Sequence, residues 1–326
     1  MREKWIDIAK GIGIILMVIG HANAPTTLKI WIYGFHMPLF FIIAGYTFNR
    51  NKWIAKGFVP LIISRTKTYL IPYACFLIVN LILWGALVRI TGGGTQFVKW
   101  ILAGIYSHDE LMPNCAPIWF LTCLFVTYIF FWVLIKKSIK ARIFYSTMYL
   151  VVLFGICRIE KFYGITQLPW HIDVGLIAAV FMLIGFEMKE YSILEQVKQW
   201  HILVCLLVGT AIVLKNGRIN MVQNQYQNIG LFIVGAVLLT IVVLYISRRV
   251  SNTSIHCVEY FLELCGKNTL IFIGFNYLIN AFVRQGVKVV GIQSQMFYCI
   301  FDSIVVIMGC LFLSVLWNKI KFRLIK

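Results

Sequence analysis

Charge is scarce in this sequence. Of its 326 residues, 13% are charged, whereas soluble domains carry about a quarter. Long polar stretches are missing too, so no separate soluble domain of useful size is expected. Nine cysteines are present, yet no two form a CxxC pair and no His/Cys spacing fits a metal site; no metal is expected. Most cysteines sit inside apolar runs and read as small packing residues. Cys115, in a loop expected to face outward, stands apart. No internal repeat is visible, which weakens a reading as a transporter built from repeated halves. No Ser/His/Asp order supports a triad. A phosphate loop is absent as well: Phe261 stands where its first glycine belongs, and Asn268 follows Gly266-Lys267 where Ser or Thr belongs.

Apolar residues are what the chain has in quantity. They make up 60% of it, and the mean hydropathy is +0.85, so the chain reads as an integral membrane protein. Ten apolar segments are long enough to be read as spans, near 8–24, 30–48, 69–90, 117–135, 143–158, 171–188, 201–214, 228–246, 262–283 and 297–317. The fifth and seventh are short. The segments are too long and too uniformly apolar for barrel strands, so the expected fold is all-α, a polytopic transmembrane bundle of about ten helices forming one domain over 1–326.

The formal net charge of +18 would suggest nucleic acid in a soluble protein. Here the basic residues lie in short loops between apolar runs. They read as orientation signals and contacts to anionic lipid, with no nucleic-acid partner. An even number of spans puts both termini on one side. Of the 30 Lys and Arg, 21 fall on that side and nine on the other, which predicts cytoplasmic termini in a cell membrane. The N-terminus imitates a signal peptide, with Arg2 and Lys4 ahead of an apolar run and Ala22-Asn23-Ala24 resembling a cleavage site. Glu3 and Asp7 mix the charge of that leader, so the first segment is expected to be retained.

Four ionisable groups sit within or at the edge of the first two segments, where such groups are expensive and are usually functional. At 100° per residue, the eleven steps from Lys10 to His21 return to nearly the same angle, and Asp7 lies about 60° from Lys10. Asp7, Lys10 and His21 therefore share one helix face. His21 lies about 16 Å beyond Lys10, past the midplane toward the outer leaflet. His36, entering after the short turn around 25–29, reaches similar depth on the next segment and is placed to meet His21. His171-Ile172-Asp173 is read as interfacial. His108, His201 and His256 fall in loops or at helix ends.

These residues resemble a known family. Trp5-Ile6-Asp7-Ile8-Ala9-Lys10-Gly11-Ile12, followed by His21, looks like the opening of the membrane-bound acyltransferase-3 family, whose pattern is Asp, then Arg or Lys, ten residues, then His. Phe35-His36-Met37-Pro38-Leu39-Phe40-Phe41 and the residues to Tyr46 are similar to that family's second helix, particularly in its fucose-4-O-acetylase-like branch. Arg65-Thr66-Lys67 ahead of Pro72, Ile118-Trp119-Phe120-Leu121, and Gly266-Lys267-Asn268-Thr269 resemble three later motifs in family order. Lys10 departs from the commoner Arg and loses the planar fork, so the resemblance does not carry a bidentate contact to this position.

The resemblance implies transfer of an acyl group, usually acetyl, from cytoplasmic acyl-CoA to a sugar hydroxyl of an envelope or exported polysaccharide. Acetyl-CoA is then a donor substrate, with no permanently bound cofactor. With no appended extracytoplasmic domain expected, a small or lipid-linked glycan becomes the favoured acceptor. His21 is the candidate general base, with His36 beside it. Asp7 and Lys10 form either a structural pair or, through Lys10, a contact to the donor's phosphates. Arg65 and Lys67 are candidate phosphate contacts or orientation signals. Trp119 either stacks on sugar or pantetheine or simply packs. A permease-like bundle without catalysis and acylation of a non-glycan acceptor stand as the rival readings.

Overall fold

A computed structural model describes residues 3–90, 96–108, 111–112, 116–165, 167–252, 256–290 and 294–324. Its α-helices in chain order are α1 Lys4–His21, α2 Thr26–Tyr33, α3 His36–Tyr46, α4 Arg50–Lys56, α5 Phe58–Arg65, α6 Ile71–Ile90, α7 Phe97–Tyr106 and α8 Trp119–Ile135. There follow α9 Ile139–Tyr163, α10 Ile172–Glu190, α11 Ile193–Gln196, α12 Gln199–Asn216, α13 Ile229–Val250, α14 His256–Lys267, α15 Thr269–Val290 and α16 Gln295–Leu324. No β-strand occurs among the described residues. The fold is an all-α polytopic bundle, as a bilayer demands of a chain that must pair every backbone group internally. Cys115 lies outside the described residues.

Among the described residues, seven helical runs are long and apolar enough to cross a membrane: Thr26–Tyr46, Phe58–Ala86, Ile139–Tyr163, Pro169–Glu190, Gln199–Asn216, Ile229–Val250 and Gln295–Trp317. Each of the ten segments read from the sequence falls on a helix, with four differences. The second is interrupted at Gly34-Phe35, between α2 and α3. The third starts earlier than expected, because α5 continues through a π-helical turn, Thr66–Leu70, into α6. Arg65, Lys67 and Pro72 are therefore inside a helical run and not ahead of it. The Ile71 N–H bonds back five residues to Thr66 O; such π-turns recur at functional sites. The fifth and seventh segments, short in the sequence, become helices of 25 and 18 residues. The ninth divides at Asn268 into α14 and α15.

The chain forms two compact units. One comprises Met1–Phe40, Val197–Arg218 and Gln227–Lys326; the other comprises Phe41–Gln196 and Ile219–Tyr226. In the first, α1 crosses α14 with backbones in near contact. A Cβ on Gly11 would collide with Leu262 O, and one on Gly266 with Asp7 O. Small residues at such crossings let membrane helices approach closely. Glu259 and Glu263 on α14 take Lys4, at 2.6 Å from Glu259, and Lys267. Lys4 holds the Glu259 carboxyl below the usual carboxylate range through that hydrogen bond.

In the second unit, α3 and α10 meet in the same manner, with Gly45 against Met182 O and Gly185 against Ile42 O. Phe131, fully buried on α8, packs edge-on against Phe48 and Phe186 with ring centroids 5.1 and 6.1 Å apart. Arg142 is buried and pairs with Glu187 at 2.6 Å while donating to Ile135 O. Several other cations lie over aromatic rings: Arg248 over Trp5 and Lys136 over Trp132, at 4.5 and 4.8 Å.

Candidate active site

In the first unit, α1 presents Asp7, Lys10 and His21 as the helical arithmetic requires. Asp7 is 1% exposed, and Lys10 Nζ stands 3.9 Å from its Oδ1. His21 closes the helix and is half-buried. Its Nδ1 lies 3.3 Å from Tyr33 Oη and 3.3 Å from Tyr277 Oη. Tyr33 spends its own proton on Gly20 O at 2.8 Å, so toward His21 its oxygen can only accept. Tyr277 stands edge-on to the imidazole, centroids 4.9 Å apart. One turn further along α15, Asn280 donates to His21 O at 3.3 Å and to Asp302 of α16 at 2.7 Å. The ring is thus held from its Nδ1 side. Among the described residues, no hydrogen bond falls on Nε2.

His36 sits at the interruption between α2 and α3. Its Nδ1 is 2.9 Å from Ile32 O. A carbonyl only accepts, so the proton is on Nδ1 and Nε2 carries the lone pair. The imidazole thereby supplies a side-chain donor to the carbonyl where the helix is broken, as a bilayer-embedded interruption requires. Pro38, in the first turn of α3, lacks an N–H that would have had no helical partner there. Tyr33 neighbours both imidazoles, with centroids 6.0 Å from His21 and 5.3 Å from His36. The two histidines expected to meet share this tyrosine.

The remaining candidates belong to the second unit. The Arg65 guanidinium lies over the rings of Tyr128, at 4.3 Å, and Trp53, at 5.2 Å. Among the described residues its Nε is buried without a partner, and no carboxylate pairs with the guanidinium. Lys67 is exposed. Trp119 is buried, its ring 4.9 Å from that of His171. His171 and Asp173, from the stretch expected to be interfacial, are each 0% exposed. His171 Nε2 donates to Ser107 O at 3.0 Å, and its backbone is left-handed, as is that of Trp170, at φ 54° and 55°. Asn224 donates to both Glu160 and Asp173 at 2.9 and 2.5 Å. Burial follows because the 3-10 turn Pro169–His171 folds the segment back onto α7 and α8. His201 is structural: its Nδ1 accepts from Lys198 N at the start of α12.

A family model described as an acyltransferase domain matches residues 3–318. The chain belongs to the acyltransferase-3 family. No curated protein and no solved structure matches it. In this membrane acyltransferase, the family match covers both units, so the His21 cluster and the residues around Arg65 and Trp119 all lie within it. No group of three or more His, Cys, Asp or Glu suited to a metal ion occurs among the described residues. Sequence reasoning missed Tyr33, Tyr277, Asn280 and Asp302. Tyr277 and Asn280 lie more than 250 positions from His21, and an aromatic within an apolar run reads as packing. The signal that was available is the recurrence of asparagines, Asn276 and Asn280, one turn apart inside an apolar helix.

Proposed function

We propose that this acyltransferase moves an acetyl group from cytoplasmic acyl-CoA to a hydroxyl of a cell-envelope or exported glycan, with His21 as general base. The observation that carries the reading is the His21 imidazole, held at Nδ1 by two tyrosine hydroxyls with Nε2 uncommitted. A sugar hydroxyl is a weak nucleophile at neutral pH. Nε2 takes its proton as the hydroxyl oxygen attacks the thioester carbon. The C–S bond then breaks, and the departing thiolate receives the proton. His36, whose Nε2 also carries a lone pair, stands beside Tyr33 as a second acceptor in the same unit. Asp7 and Lys10 neutralise one another at the other end of α1. Arg65, backed by two rings and without a carboxylate, has the chemistry of a contact for the donor's phosphates. The 21 basic residues on the side of the termini support cytoplasmic termini in the cell membrane, and hence donor entry from the cytoplasm.

Removal of the base tests the reading. His21→Ala is expected to lower acetyl transfer by about two to four orders of magnitude, in protein that inserts and folds as the parent does. Transfer to the native glycan near the parental rate would overturn it. A permease would leave acetyl-CoA intact in the same assay.

A further inference from the structure

Asn276 is 0% exposed, and both its Nδ2 and its Oδ1 are buried without a partner among the described residues. An unmet buried polar group destabilises the fold that holds it, and the residues leading into it, Leu270-Ile271-Phe272-Ile273-Gly274-Phe275, show that an apolar side chain suits this helix. Its position gives the amide a use. Tyr277 and Asn280 of α15 both touch His21. At the other end, Gly266, just before α15, lies against Asp7 O. So α15 runs alongside α1 in the same direction. Asn276 precedes Asn280 by four residues, hence lies on the same face and about 6 Å nearer the Asp7–Lys10 end. That is the side of His21 from which the acyl-CoA of the proposed function would arrive.

We propose that Asn276 is a catalytic residue whose Nδ2–H donates to the thioester carbonyl oxygen and stabilises the oxyanion formed beside His21. This rests on the reading of an acyl-CoA donor with His21 as base. As the hydroxyl oxygen bonds to the carbonyl carbon, its proton passes to His21 Nε2, and the carbonyl π pair moves onto oxygen, facing the Asn276 amide. When the carbonyl re-forms, the C–S pair leaves on sulfur, and His21 returns the proton to the thiolate. A donor fixed in a dry site costs no reorganisation at the moment of reaction. The amide's lack of a partner in the resting protein is then the resting state of the device.

The test uses the full chain, purified in detergent, with acetyl-CoA as donor and water as acceptor, read by release of free thiol. Asn276→Leu is expected to lower kcat by about 10²–10³-fold, with KM little changed and an unfolding midpoint equal to or above that of the parent. A purely structural amide, or one held by buried water alone, predicts parental kcat, and a kcat within about threefold of the parent overturns the proposal. Should the leucine variant fail to fold, Asn276→Asp keeps the shape and replaces the donor with a carboxyl group; parental kcat in that variant overturns the proposal equally. His21→Ala, run in parallel, separates the two readings. Loss in His21→Ala with a normal Asn276→Leu removes the amide alone, whereas loss in Asn276→Leu with a normal His21→Ala removes the base and keeps the amide. A parent inert toward acetyl-CoA overturns both.

Discussion

Arg65 shows what a single side chain contributes when its surroundings are apolar. Guanidinium planes stack on aromatic faces and remain charged. Trp53 and Tyr128 therefore fix the group without consuming its charge, and its buried Nε has no partner among the described residues. If it contacts a donor phosphate, Arg65→Ala should weaken CoA binding by about 10- to 150-fold, the value of one charge-assisted hydrogen bond. Titration calorimetry with CoA measures this, and unchanged affinity would return Arg65 to an orientation signal. At this scale the sequence was informative wherever the argument needed one helix alone. Asp7, Lys10 and His21 are legible from the angle per residue, because backbone geometry dictates it. Tyr33, Tyr277 and Asn280 are not, because their contact with His21 depends on which helices pack together.

Helix boundaries were less legible than helix identities. The apolar run near 30–48 reads as one segment, yet Gly34 and Phe35 interrupt it and His36 opens the helix that follows. The run 58–86 reads as a loop followed by a helix, since Arg65 and Lys67 lower its local hydropathy, whereas the backbone continues through the π-turn ahead of Pro72. Close crossings are the second hidden feature, because a glycine in a sequence does not announce its partner. Gly266→Val should lower the unfolding midpoint of the detergent-purified chain. Overpacking costs about 1–3 kcal/mol, and here the obstacle is the Asp7 carbonyl, part of a backbone that cannot rotate away. Gly286→Ala is the control, since a Cβ there meets nothing within 4 Å. Equal midpoints for the two variants would show that the α1–α14 crossing is looser than its geometry.

Across the whole chain, fold class was legible because a bilayer admits few solutions for so apolar a sequence. The division into two compact units was not, because each gathers stretches far apart in sequence, and apolar helices do not encode their neighbours in hydropathy. Orientation is the molecular property still to be measured. Cysteines introduced at Arg218 and Lys140, both exposed, should differ in intact cells. An impermeant maleimide should reach Arg218→Cys from outside, and Lys140→Cys after permeabilisation alone, judged against the parent's own cysteines. Labelling of Lys140→Cys in intact cells would reverse the sides assigned to both substrates. The chain has 30 basic residues against 12 acidic ones, so its cations outnumber its carboxylates by 18, and several rest on rings. A carboxylate partner would have to be exchanged before an outside anion could bind; a ring does not. Phosphate-bearing molecules therefore associate by addition and displace only loosely held counter-ions, which makes their hold on this protein, lipids included, weaken steadily as ionic strength rises.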